Sequence, residues 1–264
     1  MTKPAISEQP SPPVNQRASV ARLAADYLAG FFVGLIGVRV VGWRWLSVLA
    51  FYLVHPVVGR LWAGRVITLN GIRIRLGECD LTVLVNLFRD YNVSVLKQWL
   101  PEAEIVVDAG ANIGAFSYLV KVIAPAARVI AFEPDSETFE FLVAQPFCKD
   151  IDCRLAALGP VAGRAALKQG TNSVTHEVDF TQTGAVEVVT LESIATAPTL
   201  LKLDIEGAER AILTAGIPDA IGCVLMEWHF ADSPKVLFPE GTLHHEHTTP
   251  YGQTTWSWVR DNSA

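Results

Sequence analysis

The sequence has few cysteines, little charge for its length and no long unbroken apolar run, and each shortage excludes a class of protein. Its four cysteines show no C-x-x-C spacing, which argues against a disulfide scaffold or zinc knuckle and favours reduced thiols in the cytosol. Charged residues make up 18% of the 264 residues and hydrophobic residues 50%, which excludes intrinsic disorder. No signal-peptide pattern is present, so a cytoplasmic location is predicted.

The charge is divided unevenly along the chain. Residues 1–100 carry 11 Lys and Arg against 5 Asp and Glu, whereas residues 101–264 carry 10 against 22. A basic front half suggests contact with an anionic partner, either membrane lipid or nucleic acid. Because the acidic remainder would repel nucleic acid, the predicted partner is an anionic membrane surface, reached peripherally from the inner side.

Four segments are predicted. They are a disordered tail (1–16), a hydrophobic basic helical segment (17–62), a hairpin with a helical lead-in (63–103) and a main domain (104–264). The second segment holds two apolar runs, 27–38 and 45–54, with Arg39 and Arg44 between them. Each run is shorter than the ~20 residues that a spanning helix needs. Three alternatives stay open, namely helices packed on the main domain, helices lying on lipid headgroups, and a spanning segment, the last being the least favoured.

The rest of the chain predicts an α/β fold. Asn70-Gly71 predicts a hairpin within 65–76, and an apolar face predicts a helix over 81–100. Beyond residue 104, short apolar strands alternate with helices, which is typical of a mostly parallel sheet covered on both faces. Strands are predicted at 105–107, 128–132, 151–156, 186–191, 200–203 and 223–226. Helices are predicted at 113–123, 135–145 and 206–215.

The segment 106–116 combines a buried strand, a turn of small residues and a helix start, and ligands bind at such strand ends. A dinucleotide fingerprint would need glycine where Asp108 and Ile113 stand. A carboxylate there would repel a pyrophosphate but suits a cationic group, such as the amino group of S-adenosylmethionine (SAM). Gly110 and Gly114 let the backbone approach a ligand. The alternative is a plain strand-to-helix turn.

Two later strand ends carry further acids. Glu133 follows the next strand, nineteen residues after Gly114, where a carboxylate can accept both ribose hydroxyls of an adenosine ligand. Lys202 and Asp204 share one face of a third strand end and are expected to point into a site, as candidate catalytic residues. Glu206 opens the following helix, where simple capping is the alternative.

Three segments together resemble the FkbM family of SAM-dependent methyltransferases: 108–114 (Asp-x-Gly-x-Asn-x-Gly), 132–134 (Phe-Glu-Pro) and 201–209 (Leu-Lys-Leu-Asp-Ile-Glu-Gly-Ala-Glu). The resemblance implies a class I methyltransferase (Rossmann-like) fold, with a seven-stranded sheet of which one strand is antiparallel. It implies SAM as cofactor and methyl transfer to a hydroxyl, on a sugar, a polyketide or a lipid-linked glycan.

The resemblance also implies roles for residues. The methionine part of SAM would be held by four positions in the first segment: Asp108, Gly110, Asn112 and Gly114. The ribose would be held by Glu133, and Ala156 or Ala157 would flank the adenine. Asp204 and Glu206 would face the methyl-transfer zone.

A general base is expected because a sugar hydroxyl is a poor nucleophile. His229 is the leading candidate, since it shares a strand-end face with Glu227 and its unperturbed pKa is near neutrality. Asp204 is the rival base, and a structural histidine is the alternative role for His229. The run 244–247 (His-His-Glu-His) is interpreted as a solvated loop, and no metal ligand is assigned.

Two other functions stay open. A nicotinamide-dependent oxidoreductase would share the sheet and the ribose-binding acid, but the glycine pattern and Asp108 argue against it. A non-catalytic membrane adaptor would keep the fold, but the clustered charges of Lys202, Asp204 and Glu206 argue against a lost active site.

Overall fold

The computed structural model describes residues 20–170, 176–238, 240–249 and 252–261, with side chains from residue 28 onward; the tail predicted at 1–16 lies outside them. The helices are α1 (Val20–Val41), α2 (Leu46–Leu61), α3 (Asp80–Asp90), α4 (Val93–Trp99), α5 (Ala115–Ile123), α6 (Ser136–Val143), α7 (Leu191–Ile194) and α8 (Glu209–Ala215). The strands are β1 (Val66–Leu69), β2 (Ile72–Arg75), β3 (Ile105–Ala109), β4 (Arg128–Phe132), β5 (Asp152–Arg154), β6 (Ala156–Leu158), β7 (Gly163–Lys168), β8 (Glu177–Asp179), β9 (Val186–Val189), β10 (Thr199–Leu203), β11 (Ile221–Trp228), β12 (Thr242–Thr248) and β13 (Thr254–Val259).

Within the described residues, seven strands form one sheet in the order β12-β13-β11-β10-β3-β4-β5. The strands from β5 through β4, β3 and β10 to β11 run parallel, and β13 runs antiparallel to both of its neighbours. The predicted sheet, mostly parallel with one antiparallel strand, is therefore confirmed. Its parallel arrangement brings the carboxyl ends of β3, β4, β10 and β11 to one edge.

Two apolar cores cover the two faces of this sheet. Alternate residues of a strand point to opposite faces, so Val106 and Leu200 enter one core while Val107 and Leu201 enter the other. The first core is completed by α2, α3, α5 and the β1–β2 hairpin, and the second by α7 and α8. Helices thus lie on both faces, as the sequence predicts.

Three elements differ from the sequence prediction. The strand predicted at 151–156 is divided: β5 pairs with β4 in the main sheet, whereas β6 pairs with β9 in a four-stranded sheet of order β6-β9-β7-β8. The strand predicted at 186–191 lies in that second sheet as β9. An apolar run indicates that a strand forms but not which strand it pairs with, because the partner strand is distant in the sequence. The helix predicted from residue 206 begins at Glu209, because Glu206 and Gly207 both adopt positive φ.

The lead-in follows the sequence in its hairpin but not in its helix. Asn70 and Gly71 have φ of 52° and 87° and join β1 to β2, as a type I′ turn requires. The helix predicted over 81–100 is interrupted after α3. Asn92 causes the break, because its side chain accepts hydrogen bonds from the backbone N–H groups of Ser94 and Val95 and caps α4.

The N-terminal helices pack on the main domain by their inner faces. Glycines bring α1 close to α2: an added Cβ at Gly34 would lie 2.4 Å from the Leu49 side chain. Trp45 and Val48 are fully buried, and α1 contacts α3. Among the described helices, none combines the length and apolar character that crossing a bilayer requires.

Candidate active site

The loop after β3 takes a shape that its sequence permits. Gly110, Asn112 and Gly114 all have positive φ, of 74°, 51° and 82°. A Cβ at Gly110 would lie 1.8 Å from the carbonyl oxygen of Asp204, so this position has no room for a side chain. The loop therefore packs directly against the end of β10 and turns sharply into α5. Gly110 is needed for this close approach to the neighbouring strand, besides any contact with a ligand.

Asp108 is completely buried and already has partners. Its Oδ2 accepts hydrogen bonds from the Ser117 hydroxyl at 2.6 Å and the Ser117 backbone N–H at 3.1 Å. Its Oδ1 lies 3.2 Å from the Lys202 ammonium nitrogen, which stands opposite it in the register of β3 and β10. From the sequence, this carboxylate is expected to contact a cationic ligand directly. In the structure it is instead enclosed, and its contacts with Ser117 and Lys202 stabilise the loop after β3.

Lys202 ties the two central strands together. Its Nζ donates to the carbonyl oxygens of Ala109 at 3.1 Å and Gly110 at 2.7 Å, and lies 3.6 Å from Asp204 Oδ2. Burial lowers the pKa of this amine, but the carboxylates of Asp108 and Asp204 outweigh burial and the net pKa is raised. An amine whose pKa is raised, and which contacts two carbonyl oxygens and a carboxylate, is poorly suited to accept a proton. The contacts of Lys202 are those of a positioning residue, in contrast to the expected catalytic one.

Glu133 lies at the end of β4 and faces the same loop. Its Oε2 accepts a hydrogen bond from the Asn112 backbone N–H at 2.8 Å, and its Oε1 one from the Asp135 N–H at 3.0 Å. Burial raises the pKa of Glu133 to about 7 in spite of these bonds. Each carboxylate oxygen still has a lone pair, so the group can accept two further hydrogen bonds. This acceptor capacity is what a ribose diol requires.

Two other positions lie further away in the fold. Ala157 is buried in β6, on the face opposite Ala156, and its contact with adenine stays a prediction. The run 244–247 forms part of β12, so the loop interpretation is wrong. A strand forms because this segment pairs with β13 and because Glu246 accepts a hydrogen bond from the Asn92 side chain at 2.9 Å.

Acidic side chains meet where β10 and β11 end. Asp204 accepts a hydrogen bond from the hydroxyl of Tyr91 at 2.9 Å. The ligand atoms of Asp204, Glu227 and His229 all lie within 4.8 Å of one another. Burial and the neighbouring Asp204 raise the pKa of Glu227 to about 9. Burial also raises the pKa of Asp90, nearby on α3, to about 6. The structure thus brings together Asp204 and His229, both expected in the site.

The ring of His229 lies between two glutamates. Its Nδ1 lies 2.9 Å from Glu209 Oε1, and its Nε2 lies 3.3 Å from Glu206 Oε2. Burial lowers the pKa of His229, but the two carboxylates outweigh burial and the net pKa is well above its usual value. The raised pKa favours the doubly protonated ring, which disfavours the expected role as general base.

Glu209 and Tyr91 are the residues that the sequence analysis missed. Glu209 is fully buried, and its Oε1 also accepts hydrogen bonds from the backbone N–H groups of Ile205 and Gly207. The second acid of the Glu206-Gly-Ala-Glu209 run was a usable signal, because residues three apart at a helix start lie on one side. No local signal marks Tyr91, which lies 113 residues before its partner Asp204.

The donor set fits SAM at the edge formed by β3, β4 and β10. Glu133 offers acceptor oxygens for a ribose, the loop at 110–114 has glycine at both ends and buries its Ile113 side chain, and acids stand at the next strand ends. The strand order, with β13 reversed between β11 and β12, is that of class I methyltransferases. The fold and the site therefore define the class as an α/β fold of the methyltransferase type.

Comparison with known proteins identifies the family. The model of the methyltransferase FkbM domain matches residues 108–251, more than half of the chain. The chain therefore belongs to the FkbM methyltransferase family. It is 40% identical over 83 residues to the methyltransferase sdnD of Sordaria araneosa, an alignment that covers 31% of this chain and 28% of that protein.

Two solved structures are among those to which the chain is similar. The methyltransferase FkbM of Methylobacillus flagellatus KT is 17% identical, with a TM-score of 0.43, over 80% of this chain and 60% of that one. The precorrin-6y C5,15-methyltransferase of Geobacter metallireducens GS-15 is 10% identical, with a TM-score of 0.35, over 63% and 87%. The family assignment does not depend on these two likenesses.

Proposed function

We propose that this protein transfers a methyl group from SAM to a hydroxyl group of a small-molecule, glycan or lipid acceptor. Membership of the FkbM family carries the proposal. The geometry supports it, since Glu133 and the 110–114 loop stand at one sheet edge beside the acids of β10 and β11. The nicotinamide alternative loses support because the family is one of methyltransferases.

When bound, SAM supplies an electrophilic methyl group on a positively charged sulfur. Glu133 would accept the ribose hydroxyls, and Lys202 and Asp108 would hold the loop that faces the methionine part. Asp204 is the better candidate for proton acceptor, because its side chain is partly exposed, whereas Glu206 and Glu209 raise the pKa of His229 and favour its protonated form. Tyr91 would orient Asp204 through its hydrogen bond. Alignment of the reacting atoms would supply much of the remaining rate enhancement.

Calorimetry with SAM tests the cofactor assignment. The wild-type protein should bind SAM, and Glu133→Ala should weaken binding by at least about tenfold, as the loss of charge-assisted hydrogen bonds implies. Glu140→Ala, which removes an exposed acid from neighbouring α6, should leave the affinity unchanged. Absence of SAM binding by folded wild-type protein would refute the proposal.

Incubation with a cell extract and isotopically labelled SAM tests the acceptor class. The product should gain one methylene mass and carry the label as a methyl ether. A label found on nitrogen or carbon would contradict O-methylation. S-adenosylhomocysteine formed only when extract is present would exclude a non-catalytic adaptor.

We further propose that α1 and α2 dock on an anionic membrane surface. Their outer faces expose large apolar side chains: Leu28, Phe32, Leu35, Ile36, Trp43, Leu46, Leu53, Val54, Val57, Leu61 and Trp62. Exposed arginines accompany them at Arg39, Arg44, Arg60 and Arg65. An apolar face flanked by arginine and tryptophan complements lipid headgroups. A bilayer surface is therefore the occupant that this composition fits.

Co-sedimentation with vesicles tests the docking surface. Binding should require an anionic phospholipid and should weaken as salt rises. Replacing Arg44 and Arg60 together by glutamine should weaken binding about thirtyfold, at about 1 kcal/mol for each arginine near the surface. Arg128→Gln, an exposed arginine of the main domain, is the matched control. Equal binding to neutral vesicles, or no loss in the double variant, would refute the docking.

A further inference from the structure

Asp204, Glu227 and His229 form a group whose chemistry goes beyond methyl-donor binding. One ligand atom from each of them lies within 4.8 Å of the other two. Asp204 follows β10, while Glu227 and His229 lie at the end of the adjacent, parallel β11. Two carboxylates and one imidazole are the side chains that divalent ions such as Mn²⁺ bind in proteins. No metal ligand is assigned from the sequence, where only the run 244–247 suggested one and was interpreted as a loop.

The His229 ring is oriented from behind. The fully buried Glu209 lies 2.9 Å from Nδ1, and backbone N–H groups fix the same carboxylate oxygen. Nε2 consequently faces the acids, with Glu206 Oε2 at 3.3 Å, and a bound cation would replace the proton that Nε2 carries. Histidines that bind metals almost always donate their second ring N–H to such a carboxylate, which fixes the ring and its tautomer. Tyr91 supplies a comparable outer contact to Asp204.

The acids at this edge exceed the positive charges. Five carboxyl groups lie there: Asp90, Asp204, Glu206, Glu209 and Glu227. Arg89 pairs with Asp90, Lys202 is shared with the buried Asp108, and the His229 ring lies between Glu206 and Glu209. Within the described residues, Oε2 of Glu209 is buried and accepts no hydrogen bond. A buried carboxylate oxygen without a partner is costly, so this edge has unsatisfied capacity for a cation.

We propose that Asp204, Glu227 and His229 bind a divalent cation, with Glu209 as the residue that positions the histidine. Three protein ligands leave further coordination positions open, as in catalytic metal sites. If the proposed methyl transfer holds, on which this role rests, the ion would bind the acceptor hydroxyl oxygen and favour its deprotonation. The proton would pass to the carboxylate oxygen of Asp204 that does not bind the ion, and the oxygen–methyl bond would form as the sulfur–methyl bond of SAM breaks, leaving S-adenosylhomocysteine. The acceptor class would then be one that presents oxygen to a metal, such as a vicinal diol.

Mn²⁺ titration of the chelator-treated full chain, followed by electron paramagnetic resonance, tests the site. Wild-type protein should bind one Mn²⁺, and Glu227→Gln should weaken binding at least about tenfold, because even outer partners of a metal site contribute that much. Glu209→Gln should weaken it by about 10–100-fold through the histidine. Glu102→Gln, an exposed acid before β3, should bind as wild type. Unchanged affinity in Glu227→Gln would overturn the site.

A spectroscopic measurement on the wild-type protein tests the histidine ligand even where a variant fails to fold. In wild-type protein, electron spin-echo modulation should show ¹⁴N coupling from the His229 imidazole to bound Mn²⁺, and this coupling should vanish in His229→Gln. Bound Mn²⁺ without nitrogen coupling would refute the histidine ligand. Neither measurement needs turnover: SAM binding without Mn²⁺ binding would refute only the cation site, whereas Mn²⁺ binding without SAM binding would refute only the proposed function.

Discussion

Replacing Gly110 by alanine tests how the cofactor loop is built. The residue has φ of 74°, and an added Cβ would lie 1.8 Å from the Asp204 carbonyl oxygen. The left-handed backbone costs about 1–2 kcal/mol for a residue with a side chain, and the steric overlap costs a further ~1–3 kcal/mol. Gly110→Ala should therefore lower the free energy of unfolding by about 2–5 kcal/mol. In a protein of this size each 1 kcal/mol lowers Tm by roughly 2–4 °C.

Gly71→Ala separates the two contributions. Gly71 also has positive φ, of 87°, but an added Cβ would meet open space in the β1–β2 turn. Urea unfolding of this variant should show only the backbone cost, about 1–2 kcal/mol. SAM affinity, measured below both melting temperatures, should fall in Gly110→Ala and stay unchanged in Gly71→Ala. Equal stability losses in the two variants would show that β3 and β10 can separate at no cost, contrary to the packing argument.

Three further predictions concern buried charge. Lys202→Met leaves the charge of Asp108 unpaired and should lower the free energy of unfolding, measured with urea, by about 3–5 kcal/mol. Adding Asp108→Asn should restore part of the lost stability. No recovery of stability would mean that the two residues act separately. Burial raises the pKa of Glu133 to about 7, so its carboxylate is protonated on acidification, and the SAM affinity measured by calorimetry should fall about tenfold from pH 8 to pH 6. In Glu133→Gln the SAM affinity should not change with pH over this range. A similar pH dependence in that variant would assign the change in affinity to another group. Asp80→Asn breaks the ion pair between Arg75 and the almost fully buried Asp80 and should lower the free energy of unfolding by about 3 kcal/mol. Asp152→Asn breaks the exposed pair with Arg154 and should lower it by under about 1 kcal/mol. Equal losses of stability would contradict burial as the cause of the difference.

Local patterns predicted the parts of the fold that depend on neighbouring residues. The hairpin at Asn70-Gly71 and the strand ends at Asp108 and Glu133 stand where the sequence placed them, because turn chemistry and apolar runs act over a few residues. The second sheet was not foreseen, since β6 and β9 pair across about thirty residues. The contact between Tyr91 and Asp204 is likewise a product of tertiary packing.

The ion pair between Asp108 and Lys202 explains why the motif at 108–114 contributes no net negative charge to the site. Two opposite charges removed from water compensate each other only when their geometry is held, and here both also bond to the loop or helix beside them. Their charges therefore cancel within the sheet. The negative charge that faces the cleft must come from groups beyond this pair. Asp204 supplies it at the end of β10, whereas a pKa of about 9 keeps the neighbouring Glu227 mainly protonated at neutral pH. A sulfonium or a metal ion would thus meet the acids of β10 and β11 before it met Asp108.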